Sequence, residues 1–180
     1  HVAQGHLTIE ELAGASVSVS DNTAANLLLA LTGGPEGLTR FFRSIGDDVT
    51  RLDRNEPTLN SNLPGDARDT TTPRGMAIAL RSVMTGSVLS PASRERLTRW
   101  LVESQTGLTR LRAGLPADWK CGDKTGTGER GACNDVAIVW PPAGAPWLIA
   151  AYLSDSSAST SELSAALADV GRLVATRCLS

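Results

Sequence analysis

From Arg51 to Thr72 the chain carries neither a helical nor a strand period, although the segments on either side are clearly patterned. The stretch is rich in Asp, Asn, Thr and Pro and is too long for an ordinary connector. Irregular loops beyond about 12–15 residues are usually functional or disordered. Composition speaks against disorder, because 41% of the 180 residues are apolar and only 20% are charged, an ordinary globular balance. The chain as a whole is therefore read as globular, and the loop as functional or disordered.

Helices surround it. Leu7 to Leu12 has a helical pattern, with Thr8 as N-cap and Glu10 and Glu11 in the first turn. Ser20-Asp21-Asn22 precedes a strong helix former, Thr23 to Leu31, which Gly33-Gly34 stops. Pro35 opens the next helix, which runs to about Ile45-Gly46 with Phe41-Phe42 as its core face. Thr72-Pro73 opens another to about Met84, and Ser90-Pro91 a further one through Leu101. The last third changes period. Trp119 to Thr127 and Cys133 to Trp140 read as a hairpin, and Pro146 to Leu153 as a further strand. Thr160 to Leu179 closes as an amphipathic helix. The expected fold class is α/β (α+β). Residues 1–115 form a mostly helical lobe holding the loop 51–72, and residues 116–180 supply antiparallel strands and the terminal helix.

Charge and length exclude several functions. The net charge is −2, so no generalised phosphate-binding surface is expected, and nucleic acid drops out as a partner. No apolar run approaches the roughly 20 residues needed to span a bilayer, so no membrane role is expected. The cysteines Cys121, Cys133 and Cys178 have no metal-type spacing, and His1 and His6 are the only histidines. No metal and no cofactor is therefore called for.

Three segments can carry chemistry. Ser20-Asp21-Asn22 stands at a helix start, where all three residue types also serve as ordinary caps. Lys124-Thr125-Gly126-Thr127-Gly128 lies on the first hairpin strand. A glycine there lets a ligand lie against the strand edge, and the ammonium can receive an anionic group. The same lysine could instead guard an edge against aggregation. Inside the loop, Glu56 is followed four residues later by Asn60. A carboxylate and an amide so spaced can grip one water from two sides, as a general base needs, although a solvated loop glutamate is the plainer reading.

Together, in this order and at these separations, the three segments resemble the class A serine β-lactamases. The likeness extends through Gly33-Gly34-Pro35, Gly46-Asp47, Arg51-Leu52-Asp53-Arg54, Arg68 to Pro73 and Leu115 to Trp119. The resemblance implies that Ser20, polarised by Lys124, relays a proton to the β-lactam nitrogen. It makes Asp21 a buried structural cap and gives the drug's acylamino side chain to Asn22. Glu56 becomes the base that activates the deacylating water, with Asn60 as second holder and a cis bond to Pro57. Arg54 and Asp69 clamp the loop as an ion pair. Lys124, Thr125 and the Thr127 hydroxyl receive the substrate carboxylate, Gly126 belongs to the same substrate-binding strand, and the Thr127 N–H is one oxyanion donor. Thr127, in place of a smaller residue, points to broader cephalosporin acceptance. The implied partners are β-lactam antibiotics, and the implied setting is periplasmic or secreted.

Departures from the family carry information. Many relatives have an arginine near Cys133 for the substrate carboxylate, while others supply it from the loop before the hairpin, where Arg110 stands. Arg110 is expected to substitute. Cys121 and Cys133 are expected as free thiols near one another on the hairpin. The Ser-x-x-Lys nucleophile motif is absent, since the residues three before the two lysines are Ala117 and Cys121. The chain is thus expected to be the C-terminal two-thirds of such an enzyme, needing the missing N-terminal part of the same protein and a monomer when complete. Two alternatives stand beside this reading: a penicillin-binding D,D-peptidase or transpeptidase, and a catalytically inactive fragment.

Overall fold

The computed structural model describes residues 5–178, without the side chain of Cys178. His1, weighed above as a metal ligand, and Leu179, the expected end of the last helix, lie outside the described residues. The helices are α1 (Ile9–Ser18), α2 (Asn22–Leu31), α3 (Gly34–Ser44), α4 (Pro73–Met84), α5 (Pro91–Val102) and α6 (Thr160–Cys178). The strands are β1 (Lys120–Thr127), β2 (Cys133–Trp140) and β3 (Trp147–Leu153), joined antiparallel in the order β1-β2-β3. This is the mixed helix and antiparallel-sheet class the patterning predicts.

Capping chemistry sets the helix starts. Thr8 and Glu11 form a reciprocal capping box, and α1 then runs past Leu12 to Ser18. Asp21, Thr72 and Ser90 each accept a backbone N–H at the head of α2, α4 and α5. One expectation fails at α3. Phe41 is exposed and no α3 residue is buried, because neighbouring residues point about 100° apart on a helix and cannot share one face.

The sheet is covered on both faces, and the two-residue alternation of β2 sorts the core. Ala137 and Val139 pack with Leu111, Trp119, Ile149 and Ala175 on the α6 side. Ile138 packs with Met84 and Leu101 on the side of α4 and α5. Full burial of such side chains contributes about 1.5–3 kcal/mol each. The register pairs Cys121 with Val139 and Thr127 with Cys133. The two cysteines therefore sit at opposite ends of the hairpin, not side by side. Both are buried free thiols, and burial pushes Cys121 up to about 12. The outer edge of β3 pairs with no strand among the described residues, and Trp147 and Leu173 beside it are largely exposed.

A tight helix-to-turn contact fixes the loop that precedes β1. The 3-10 turn Leu111–Gly114 lies so close to α6 that a Cβ on Gly171 would stand 2.3 Å from the Leu111 carbonyl oxygen. In a helix interior Gly→Ala normally gains up to about 1 kcal/mol, whereas overpacking costs about 1–3 kcal/mol. Here the obstacle is backbone, so the cost wins. Gly171→Ala is expected to lower the melting temperature by roughly 2–8 °C. A rise in circular-dichroism melting would show that the turn moves aside freely.

Candidate active site

The helix cap, the loop and β1 converge on one cleft of about 280 Å³. It is lined by Ser20, Asn22, Glu56, Asn60, Arg110, Lys124, Thr125, Gly126 and Thr127, with Thr106. Lys124 points from β1 toward the helical side and donates to Ser20 Oγ at 2.9 Å and to the Thr125 carbonyl at 2.6 Å. The Ser20 contact closes across 104 positions of sequence. Burial, first, pulls the Lys124 ammonium below its ordinary pKa, while Asp135 and Glu56 oppose the shift. Ser20 itself has φ 58°, a left-handed conformation uncommon outside glycine, between α1 and α2. Asn22 begins α2 at the exposed rim. Asp21 caps α2 through Ala24 N at 2.8 Å, yet it is exposed and not buried as expected. One oxygen makes the cap, and solvent can serve the rest of the carboxylate.

The loop is held at four places. At its neck Arg54 Nε donates to Asp69 Oδ2 at 2.5 Å, and the Asp69 side chain is only 3% exposed. Asp69 Oδ1 also accepts the Asp53 and Arg54 amides at 2.7 and 2.9 Å. At its tip the 3-10 turn Thr58–Asn60 turns the Asn60 amide back onto Glu56 Oε2 at 2.6 Å, and the Glu56-Pro57 bond is cis. At its inner wall Asn26 of α2 brackets Glu56. It donates to the Glu56 carbonyl at 2.9 Å and accepts the Glu56 N–H at 3.0 Å. The hairpin turn closes the far side, where Glu129 N donates to the Asn60 carbonyl at 2.8 Å.

Arg110 is not a solvated surface arginine. It is 6% exposed and donates to the Gly126 and Asn134 carbonyls at 2.8 and 2.6 Å and to Thr127 Oγ1 at 2.6 Å. Thr125 Oγ1 donates to Thr106 Oγ1 at 2.7 Å. Beneath this edge lie two fully buried carboxylates, Asp123 and Asp135. Asp123 pairs with Arg112, and Asp135 Oδ2 accepts the Leu111 N–H at 3.1 Å. Burial, and next the neighbouring Asp123, push Asp135 up to about 8. Among the described residues no cluster of His, Cys, Asp and Glu could hold a metal ion.

Sequence reading missed four of these residues. Asn26 left a signal, a lone amide inside the apolar run Ala24 to Leu31. Thr106, Asp123 and Asp135 left none that sets them apart from loop and strand polars.

Two measurements follow from the geometry. Asp69→Asn keeps the shape but removes the charge facing Arg54, costing about 1–3 kcal/mol. Faster amide hydrogen exchange is expected across residues 53–69, and exchange no faster there than in β1 and β2 would count against the clamp. For Asp135, the folded chain keeps a proton between about pH 4 and 8 that the unfolded chain releases. Its contribution to stability is full below about pH 4 and is lost as pH rises through about 8. Asp135→Asn should therefore gain melting temperature relative to the parent from pH 5 to pH 8.5, and a constant difference would contradict the raised value.

Comparison with known proteins accords with this geometry. The Beta-lactamase enzyme family matches residues 2–178. The chain is 50% identical over 168 residues to β-lactamase AST-1 of Nocardia asteroides, covering 93% of this chain and 54% of that protein. It is equally identical, at 50% over 168 residues, to β-lactamase L2 of Stenotrophomonas maltophilia, covering 93% and 55%. An ancestral class A β-lactamase superposes with a TM-score of 0.94 at 55% identity, over 98% of this chain and 69% of that one. The last common ancestor of Gram-negative bacteria class A enzyme gives 0.94 at 57%, over 96% and 66%. The chain spans about half the length of the curated relatives it matches. By the near-complete family match and the shared fold, this chain belongs to the β-lactamase enzyme family, class A.

Proposed function

We propose that the protein hydrolyses the amide bond of β-lactam antibiotics through an acyl-serine intermediate and so confers resistance. The single observation that carries the reading is the facing of two pairs across one cleft: Glu56 with Asn60, and Lys124 with Ser20. The first pair suits deacylation. A water held between them loses a proton to Glu56 as its oxygen bonds to the ester carbonyl. Collapse of that intermediate breaks the serine ester, and the serine oxygen regains a proton. General-base help of this kind is worth roughly 10²–10⁴-fold. The second pair suits acylation. As the lactam C–N bond breaks, the nitrogen takes a proton from Ser20 Oγ, and Lys124, its pKa lowered by burial, supplies the replacement.

Binding follows from the rest of the cleft. Lys124, Thr125, Gly126, Thr127 and Arg110 form a cationic, hydroxyl-lined end for the substrate carboxylate. Asn22 at the rim serves the acylamino group, Asp21 keeps Ser20 and Asn22 at the helix head, and Arg54 with Asp69 holds Glu56 in range. The Thr127 N–H serves as an oxyanion donor, and the Thr127 side chain favours cephalosporins alongside penicillins. These 180 residues contain no Ser-x-x-Lys, so the nucleophile belongs to an N-terminal part of the same protein. The complete protein acts as a monomer in the periplasm or medium, needing no cofactor, metal, nucleic acid or membrane.

Two other readings compete with this one. A D,D-peptidase would share the lysine and serine, but a clamped Glu56-Asn60 pair has no use in an enzyme that acylates without hydrolysing. An inactive remnant would be the reading only if no Ser-x-x-Lys segment accompanies these residues.

Intact-mass spectrometry with a slowly hydrolysed β-lactam separates the three. A polypeptide carrying these residues and a Ser-x-x-Lys segment should gain the mass of one drug molecule and then lose it. Glu56→Ala should keep the adduct, with deacylation slowed roughly 10²–10⁴-fold. Equal turnover in that variant would move the base elsewhere, a permanent adduct in the parent would favour the peptidase, and no adduct in any form would leave a remnant.

A further inference from the structure

The buried charges beneath the carboxylate-binding end of the cleft do not pair off. Asp123 is spent on Arg112, whose guanidinium also donates to the Val102 and Leu101 carbonyls. Arg110 is nearly as buried, yet among the described residues it bonds only to two carbonyls and a hydroxyl and has no carboxylate partner. A guanidinium held out of water without a counter-ion is costly, and an arriving anion relieves that cost. Asp135 is the neighbouring acid that could have supplied the counter-charge. It faces Thr125 across the β1-β2 register on the side that carries Asp123. Its Oδ2 is turned instead onto the amide of Leu111, the residue after Arg110, and its Oδ1 has no partner among the described residues.

We propose that Asp135 is a positioning residue, which anchors Arg110 through the Leu111 amide and leaves the guanidinium charge for the substrate carboxylate. The inference rests on the reading of that end of the cleft given above. Its geometry asks for a neutral carboxyl, since a fully buried carboxylate with one neutral donor and one empty oxygen is strongly disfavoured as an anion. Ionised, Asp135 would add a negative charge beside Arg110 and reduce the pocket's pull on an anion. The titratable and charged groups around it are Asp123 and Cys121 on β1, Arg110 and Arg112 at the adjoining turn, and Lys124 within electrostatic reach. Lys124 projects from the opposite face of β1, and β3 sets Ala151 opposite Asp135. The helix α6 packs on the turn beside Ala168 and Gly171, while its Asp169 and Arg172 pair with each other at the surface.

The test needs no catalysis. The Arg110 guanidinium nitrogen shifts are followed by NMR from pH 5.5 to 9.5, without ligand, in a polypeptide carrying these residues and a Ser-x-x-Lys segment whose serine is replaced by alanine, so that no ligand is consumed. The parent should show a transition near pH 8, and Asp135→Asn, which keeps an oxygen for the Leu111 amide, should lack it. Asp135→Ala should move the Arg110 signals toward those of a solvent-exposed arginine already at pH 6.5; if it does not fold, the Asn variant alone decides. A transition that persists in Asp135→Asn, or Arg110 signals unmoved in a folded Asp135→Ala, overturns the proposal. Benzylpenicillin is then titrated against the same samples, read at the Gly126 and Thr127 amides. From pH 7 to pH 9 its dissociation constant should rise at least about threefold more in the parent than in Asp135→Asn, since loss of the Lys124 charge weakens both alike. An equal rise in both also overturns the proposal. Should the Arg110 transition behave as expected while penicillin leaves every sample unmoved, the positioning role stands and the β-lactam reading falls.

Discussion

The geometry of the loop 51–72 depends on the Asp69 carboxylate. A long irregular loop must find partners for its own backbone groups, since buried unpaired amides are costly. Asp69 meets that demand at the neck by taking two loop amides on one oxygen and the Arg54 guanidinium on the other. With the neck closed, the tip becomes a compact turn in which Asn60 reaches Glu56. The tip is then tied to α2 by Asn26 and to the hairpin turn by Glu129. The positions of Glu56 and Asn60 thus follow from one ion pair at the neck of the loop.

The hairpin divides labour between its faces. Toward the helices, β1 offers Lys124 and two glycines, and Gly122 lies close enough to α5 that a Cβ would meet Leu101 at 3.0 Å. Small residues here let the helical side approach, which brings Ser20 within reach of Lys124. Toward α6, the same two strands hold a polar cluster at the cleft end and an apolar core at the other. The Leu111–Gly114 turn spans both. Leu111 is fully buried in the apolar core, while its amide and the preceding arginine serve the polar cluster. Packing of the turn against α6 and positioning of Arg110 are consequently one mechanical problem.

Elements whose signals are local were legible without coordinates. The caps at Thr8, Asp21, Thr72 and Ser90 mark helix starts because the residue that bonds the free amides is three positions from them. The strand alternation of β2 is equally local. What failed depended on relations that a linear pattern does not carry. Phe41 reads as core until the neighbours of α3 are known, and Cys121 and Cys133 read as adjacent until the register is known. Asp21 reads as a buried cap from the resemblance alone, and only the fold shows it exposed.

By itself the sequence determined which chemistry this chain can hold: one lysine beside a glycine on a strand, a serine at a helix head, and a glutamate four residues before an asparagine in a loop. Spacing along the chain governs these, since caps, turns and alternation are short-range geometry. Only the tertiary structure decided that they share one cleft and that Asn26 holds the loop against α2. It alone left Arg110 buried with no carboxylate among the described residues while Asp135 turned to an amide. Those outcomes depend on burial and on distances closed across a hundred residues, and burial is what gives a charge its energy.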